Sequence, residues 1–159
     1  MTIDSLKKER LQFLCRVVEK EGIYLTRTTK RLFEEPFSIE RAKTLDVDDA
    51  LSERLEAFVS RFSRLQDTLG DKLLPNLLDA LNEKKRTQID NLDMAERLGW
   101  LSNVDDWQVM RQLRNQMVHE YIEDLNVLVS AINTAYHFVP ILIAMEKNLR
   151  GEMQYREWD

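Results

Sequence analysis

The sequence predicts an all-α protein, a bundle of four to six helices, on three observations. Glycine and proline are scarce, four and three in 159 residues, so the turns an all-β chain needs are missing. Leu11, Val18, Leu25 and Leu32 recur every seven residues, with Leu14 and Cys15 filling the same stripe. Leu51, Leu55, Phe58, Phe62, Leu65 and Leu69 alternate steps of four and three, which lines one face of a helix.

The first stripe predicts a helix from about Ser5 to Leu32, with Gly22 an internal weak point. Pro36 disfavours helical geometry at Glu35 and ends it, so residues 1–35 read as a long first helix. Residues 36–49 read as a polar connection with room for one helical turn. Residues 50–149 form the rest of the bundle. There Gly70 interrupts the second stripe, and Leu73-Leu74-Pro75 starts a new segment carrying Leu74, Leu77, Leu78 and Leu81. The Glu83-Lys84-Lys85-Arg86 run closes it as a solvated stretch.

A short helix is expected over Leu92–Leu98, capped by Asn91 and stopped by Gly99. Asp105 or Asp106 can cap the next, which carries Trp107, Met110, Leu113 and Met117 on one side. The last helix is expected over Glu123–Leu149 with a kink at Pro140, leaving residues 150–159 as a tail in which Trp158 is frayed or packed on a partner. Without repeats or strand-like alternation, residues 1–159 are expected to form a single domain.

Charged residues make up 32% and apolar residues 43%, a mix that is charged yet not disordered by composition. The net charge of −5 argues against a generic nucleic-acid coat, which would be basic over a whole face, and leaves room for a small local site. The single cysteine, Cys15, excludes an intrachain disulfide. With charges interrupting the N-terminus and no apolar run that reaches the roughly 18 residues a membrane span requires, a cytoplasmic protein without a membrane segment is expected.

Two histidines leave few ways to build a triad or a metal site, and the sequence offers neither paired cysteines nor HExxH, so no metal and no cofactor are expected. His137, beside Tyr136 and Phe138, reads as an ordinary packed or partly exposed residue. His119 keeps different company. Asn115 lies four residues before it and shares its face, Arg114 five before it, about 140° around a regular helix, and Tyr121 two after it. Two copies of the segment facing each other would bring arginine and histidine to one site. Trp107 and Met110 read as core or interface packing, while Trp100 and Trp107 are also candidates for exposed aromatics at such a dimer. These residue types suit phosphodiester chemistry: imidazole takes a ribose hydroxyl proton near neutral pH, and guanidinium holds charge developing on phosphorus. Arg61, Arg64, Gln66 and Asp67 flank the second stripe. They read as a solvated face, or as a group that brings Asp67 near a motif arginine.

The segment Arg114-Asn115-Gln116-Met117-Val118-His119-Glu120-Tyr121 resembles the motif of the HEPN superfamily, an arginine, four to six residues, then a histidine. The tyrosine two past the histidine is similar to the HepT branch. Ala95-Glu96-Arg97-Leu98-Gly99-Trp100, with Asp106-Trp107 and Met110, resembles its nucleotidyltransferase substrate-binding relatives. The resemblance covers about residues 50–149, while the first 50 match only as a long helix in the right place. It implies an up-and-down, HEPN-like bundle that forms a homodimer with both motifs lining one cleft. It also implies a toxin–antitoxin pair in which this chain is a metal-independent endoribonuclease (hydrolase, nuclease) acting on RNA, and a minimal nucleotidyltransferase is the antitoxin. Arg114 would stabilise the scissile phosphate, Asn115 orient it and His119 act as acid or base. AMPylation of Tyr121 would block the cleft and add negative charge. The alternatives are a noncatalytic substrate-binding or docking subunit of a nucleotidyltransferase, and a scaffold whose motif serves only dimerisation.

Overall fold

A computed structural model describes residues 3–83, 86–119 and 123–159, the side chains of Val118 and His119 excepted. Lys84, Lys85, Glu120 and Tyr121 therefore lie outside the described residues. The protein is all-helical there, with no strand among the described residues. Its elements are α1 (Ser5–Leu32), α2 (Ile39–Ala42), α3 (Asp49–Asp67), a π-helical segment (Thr68–Leu73), α4 (Leu74–Ala80), α5 (Gln88–Arg97), α6 (Val104–His119) and α7 (Leu125–Tyr155). With Asp49–Ala80 counted as one continuous rod, six helices stand among the described residues. The chain divides into two compact units: residues 1–22, 65–104 and 141–159, and residues 23–64 and 105–140.

In the first unit Leu11, Leu14 and Val18 of α1 are buried, as are Leu69, Leu73, Leu74 and Leu77, and Leu142, Met145 and Leu149 of α7. Gly70 does not interrupt the rod. The Leu74 amide donates to the Leu69 carbonyl, five residues back, so helix runs on through Gly70 and reaches Pro75. Proline has no amide to give, and a wider turn before it accommodates the missing bond. The Asn76 side-chain amide donates to the Lys72 carbonyl at 2.7 Å.

α5 begins earlier than its apolar residues suggest. Thr87, rather than Asn91, is the cap, its hydroxyl accepting from the Asp90 amide at 3.2 Å. Gly99 ends the helix as expected. At φ +79° it turns Trp100 N–H back to the Ala95 carbonyl (2.9 Å) and gives its own N–H to Glu96 (3.1 Å), a Schellman closure.

The expected tail is also revised. α7 continues to Tyr155, Glu157 turns left-handed (φ 59°), and Trp158 is buried at 5% exposure against its own chain. The Gln12 side chain donates to the Trp158 carbonyl at 3.1 Å, and the Arg156 guanidinium lies 5.5 Å from the Trp158 ring centroid. Buried Glu146 is met by Arg150 one turn on, and a second Arg150 nitrogen lies 3.7 Å from Glu19.

In the second unit Leu25, Leu32, Leu51, Leu55, Phe58 and Phe62 are buried, as both stripes predict. The connection after α1 is less polar than expected. Phe37 and Ala42 are buried, and Arg41 donates to the Leu32 and Glu35 carbonyls, both at 2.6 Å, closing the end of α1. Phe33 stacks on Tyr136 at 4.1 Å, and the Asn133 amide reaches the Phe37 carbonyl at 2.8 Å.

α7 changes one expectation. It is long and apolar enough to cross a membrane by length and composition, with a mean hydropathy of 1.7 over 18 residues of which 33% are buried. Asn126, Ser130, Asn133, Thr134 and His137 interrupt its apolar residues before Phe138. None of them is an acid or a permanent cation, so the mean stays high.

An added Cβ at Gly99 meets nothing within 4 Å, which isolates the backbone cost of its left-handed conformation. Gly99→Ala should therefore destabilise by about 1–2 kcal/mol in urea melts, through strain alone.

Candidate functional site

α6 carries Arg114, Asn115 and His119, and its register decides how they stand. The Glu96 carboxylate accepts from the Val104 amide at 3.1 Å and fixes the start of the helix. Asp105 and Asp106 lie inside its first turn instead of capping it. Negative charge there still complements the helix dipole.

Trp107, Met110, Leu113 and Met117 are buried, Trp107 completely. Trp100 is also buried, at 5% exposure. Exposure of these two tryptophans for a dimer contact is thus overturned: Trp107 lies in the core with the α6 stripe, as its packing reading has it, and Trp100, outside both helices, is buried where its N–H closes on the Ala95 carbonyl.

Arg114 falls seven residues after Trp107, about 20° from it around the helix, so it leans toward the buried stripe. It is half-buried and its Nε is shut off from solvent. Asn115, about 100° further round, is exposed. His119 is the last residue of α6, and its position follows Asn115 by one turn on the outward side. Its side chain, like all of Tyr121, lies outside the described residues. The geometry thus places Asn115 and the His119 position on one face and Arg114 at the edge of the core. Arg111, three residues before Arg114, is half-buried too.

Among the described residues no group of three His, Cys, Asp or Glu side chains could hold a metal ion. His137 is exposed, its ring 5.6 Å from that of Tyr136.

The residues flanking the second stripe are less solvated than expected. Gln66 is buried, and Arg61 donates to the Thr28 hydroxyl and, at 3.2 Å, to the Tyr24 carbonyl, both on α1. Its guanidinium lies 5.5 Å from the Tyr24 ring centroid. Sequence reasoning missed this pairing, for which the only local signal was the four-residue step from Tyr24 to Thr28.

Cys15 is half-buried among Glu19, Glu146 and Arg150. Burial pushes its thiol up from 9.0 to about 11, the nearby arginines opposing and the carboxylates adding. A thiol held so far above neutrality is a poor nucleophile. The folded state keeps its proton where the unfolded chain has lost it. The contribution to stability is therefore complete below pH 9.0 and lost as pH rises to about 11. Cys15→Ala should flatten the fall in urea midpoint between pH 9.0 and about 11 relative to the parent protein.

No protein-family model, curated protein or solved structure matches this chain, so its site is read from its own residues.

Proposed function

We propose that this chain is a HepT-like HEPN endoribonuclease, the toxin of a toxin–antitoxin pair, acting as a cytoplasmic homodimer with an up-and-down bundle in each protomer. One observation carries the reading. Asn115 and the His119 position share the last turns of a single helix whose interior stripe of Trp107, Met110, Leu113 and Met117 is buried, with Arg114 at the edge of that stripe. Such anchoring is what a catalytic constellation needs from its scaffold.

In the reaction the ribose 2′-oxygen attacks phosphorus while His119 takes its proton. The phosphorus–O5′ bond breaks, and the partner protomer's equivalent histidine returns a proton to the leaving oxygen. A cyclic phosphate and a free 5′-hydroxyl result. Arg114 neutralises charge developing on the phosphoryl oxygens, and Asn115 holds one of them by hydrogen bond. The net charge of −5 favours a second reading, a noncatalytic subunit that presents substrate to a nucleotidyltransferase.

The purified protein should cut single-stranded RNA in EDTA and leave cyclic-phosphate ends. His119→Ala should slow cutting by about a hundredfold or more at unchanged circular dichroism. Asn115→Ala should slow it with no loss of stability, because Asn115 is exposed on a helix. Cutting that survives His119→Ala, or that needs added metal, would sink the assignment. If no RNA is cut, the binding-subunit reading replaces it.

Tyr121 is the regulatory position in this reading. Its phenolic oxygen attacks the α-phosphorus of ATP bound by the partner enzyme, and pyrophosphate leaves. Intact mass spectrometry of co-expressed protein should show one added AMP. Tyr121→Phe should lose that mass and escape neutralisation while keeping toxicity. Adenylylation undiminished on the Phe variant would remove Tyr121 from the mechanism.

A further inference from the structure

Within the second unit, α1 and α3 border an open-sided pocket of about 170 Å³ lined by Thr28 and Arg31 from one helix and Ala50, Glu53, Arg54, Ala57 and Arg61 from the other. On α3 these positions are successive turns of one face. Two of them, Ala50 and Ala57, are small and leave the space open. Three guanidinium groups face one carboxylate, an excess of two positive charges in a chain whose net charge is −5.

The arginines are not consumed by the fold to the same degree. Arg61 is pre-set by the Thr28 hydroxyl, the Tyr24 carbonyl and the Tyr24 ring. Arg54 Nε is shut off from solvent with no acceptor among the described residues, which leaves its desolvation uncompensated. Arg31 is exposed, and among the described residues no ion pair joins it or Arg54 to Glu53.

We propose that this cavity binds a phosphate group. Converging guanidinium forks match the oxygens of a tetrahedral oxyanion and form charge-assisted hydrogen bonds with them. At about 170 Å³ the space falls short of the roughly 300–1,000 Å³ that holds a whole drug-sized molecule, so it takes one anionic group of a larger ligand. Arg61 supplies a donor already in place, and Arg54 turns its buried donor toward the oxyanion. The neighbouring Glu53 carboxylate weakens the site and sets its affinity. No residue of α6 takes part, so this inference does not depend on the cleavage reading.

The test titrates the full-length His119→Ala protein, chosen so that cutting by α6 is slowed on the cleavage reading, with inorganic phosphate, AMP and a fluorescent single-stranded oligoribonucleotide at low salt. Saturable binding is expected, weakened about tenfold by Arg54→Gln. Glu53→Gln should tighten it about threefold, a gain that misfolding cannot produce. Tightest binding of AMP assigns a terminal phosphate, and tightest binding of the oligoribonucleotide assigns a backbone phosphodiester. The proposal is overturned if none of the probes binds, or if neither substitution shifts the affinity. It is equally overturned if restoring His119 changes the affinity for inorganic phosphate, since the anion would then sit at α6.

Discussion

Pro75 lies inside the rod that follows α3, where an α-helical register would set its ring against the Asp71 carbonyl and leave one bond unmade. The π-helical segment from Thr68 to Leu73 resolves this. It lengthens one turn by a residue and closes on the Leu74 amide. The same insertion corrects the register. Leu74, Leu77 and Leu78 would otherwise drift around the helix from Leu65 and Leu69, each residue adding about 100°. One extra residue in the turn returns them to the stripe, and all five are buried. Gly70 is tolerated because the helix passes through it without asking for a side chain.

The candidate site depends on a similar division of labour along α6. Its interior stripe begins with a tryptophan at 0% exposure and ends with Met117, two residues before the helix stops. A helix held this firmly along one side presents its other side in a fixed register, which is where Asn115 stands exposed. Burial of Trp100 and Trp107 also constrains any dimer built through α6. Among the described side chains of α6 the exposed ones are Asp105, Val109 (38% exposed), Gln112 and Asn115, so a cleft built on them would be mainly polar.

Net charge conceals how differently the arginines are used. Arg41 satisfies the carbonyls at the end of α1, and Arg150 compensates a carboxylate that is 3% exposed. For Arg150, burial alone would lower the pKa, but the hydrogen bond and charge of Glu146 more than reverse this and raise it. Arg61 is tied to α1. Arg31 and Arg54 have no such work, and they adjoin the same cavity. An acidic chain can therefore hold a locally basic site, because charge acts over about a Debye length of 8–10 Å and not over the whole molecule.

The amino-acid sequence alone determined the features that short-range physics controls. The bounds of α1, Ser5 to Leu32, follow from a seven-residue stripe and a proline shortly after it. Burial from Leu51 to Leu69 follows from helical periodicity, and the stop at Gly99 from the one residue type that adopts a left-handed turn without strain. The Arg114, Asn115 and His119 spacing was legible in the same way, since it lies within one helix. Tertiary structure decided the rest. It buried Trp100 and Trp158, carried the rod through Gly70, and extended α7 to Tyr155. It also joined Arg61 to Thr28 across 33 residues of sequence, which no local pattern encodes. A period tells which residues of a helix share a face. Only packing decides what that face meets, and burial, charge compensation and cavities all follow from the meeting.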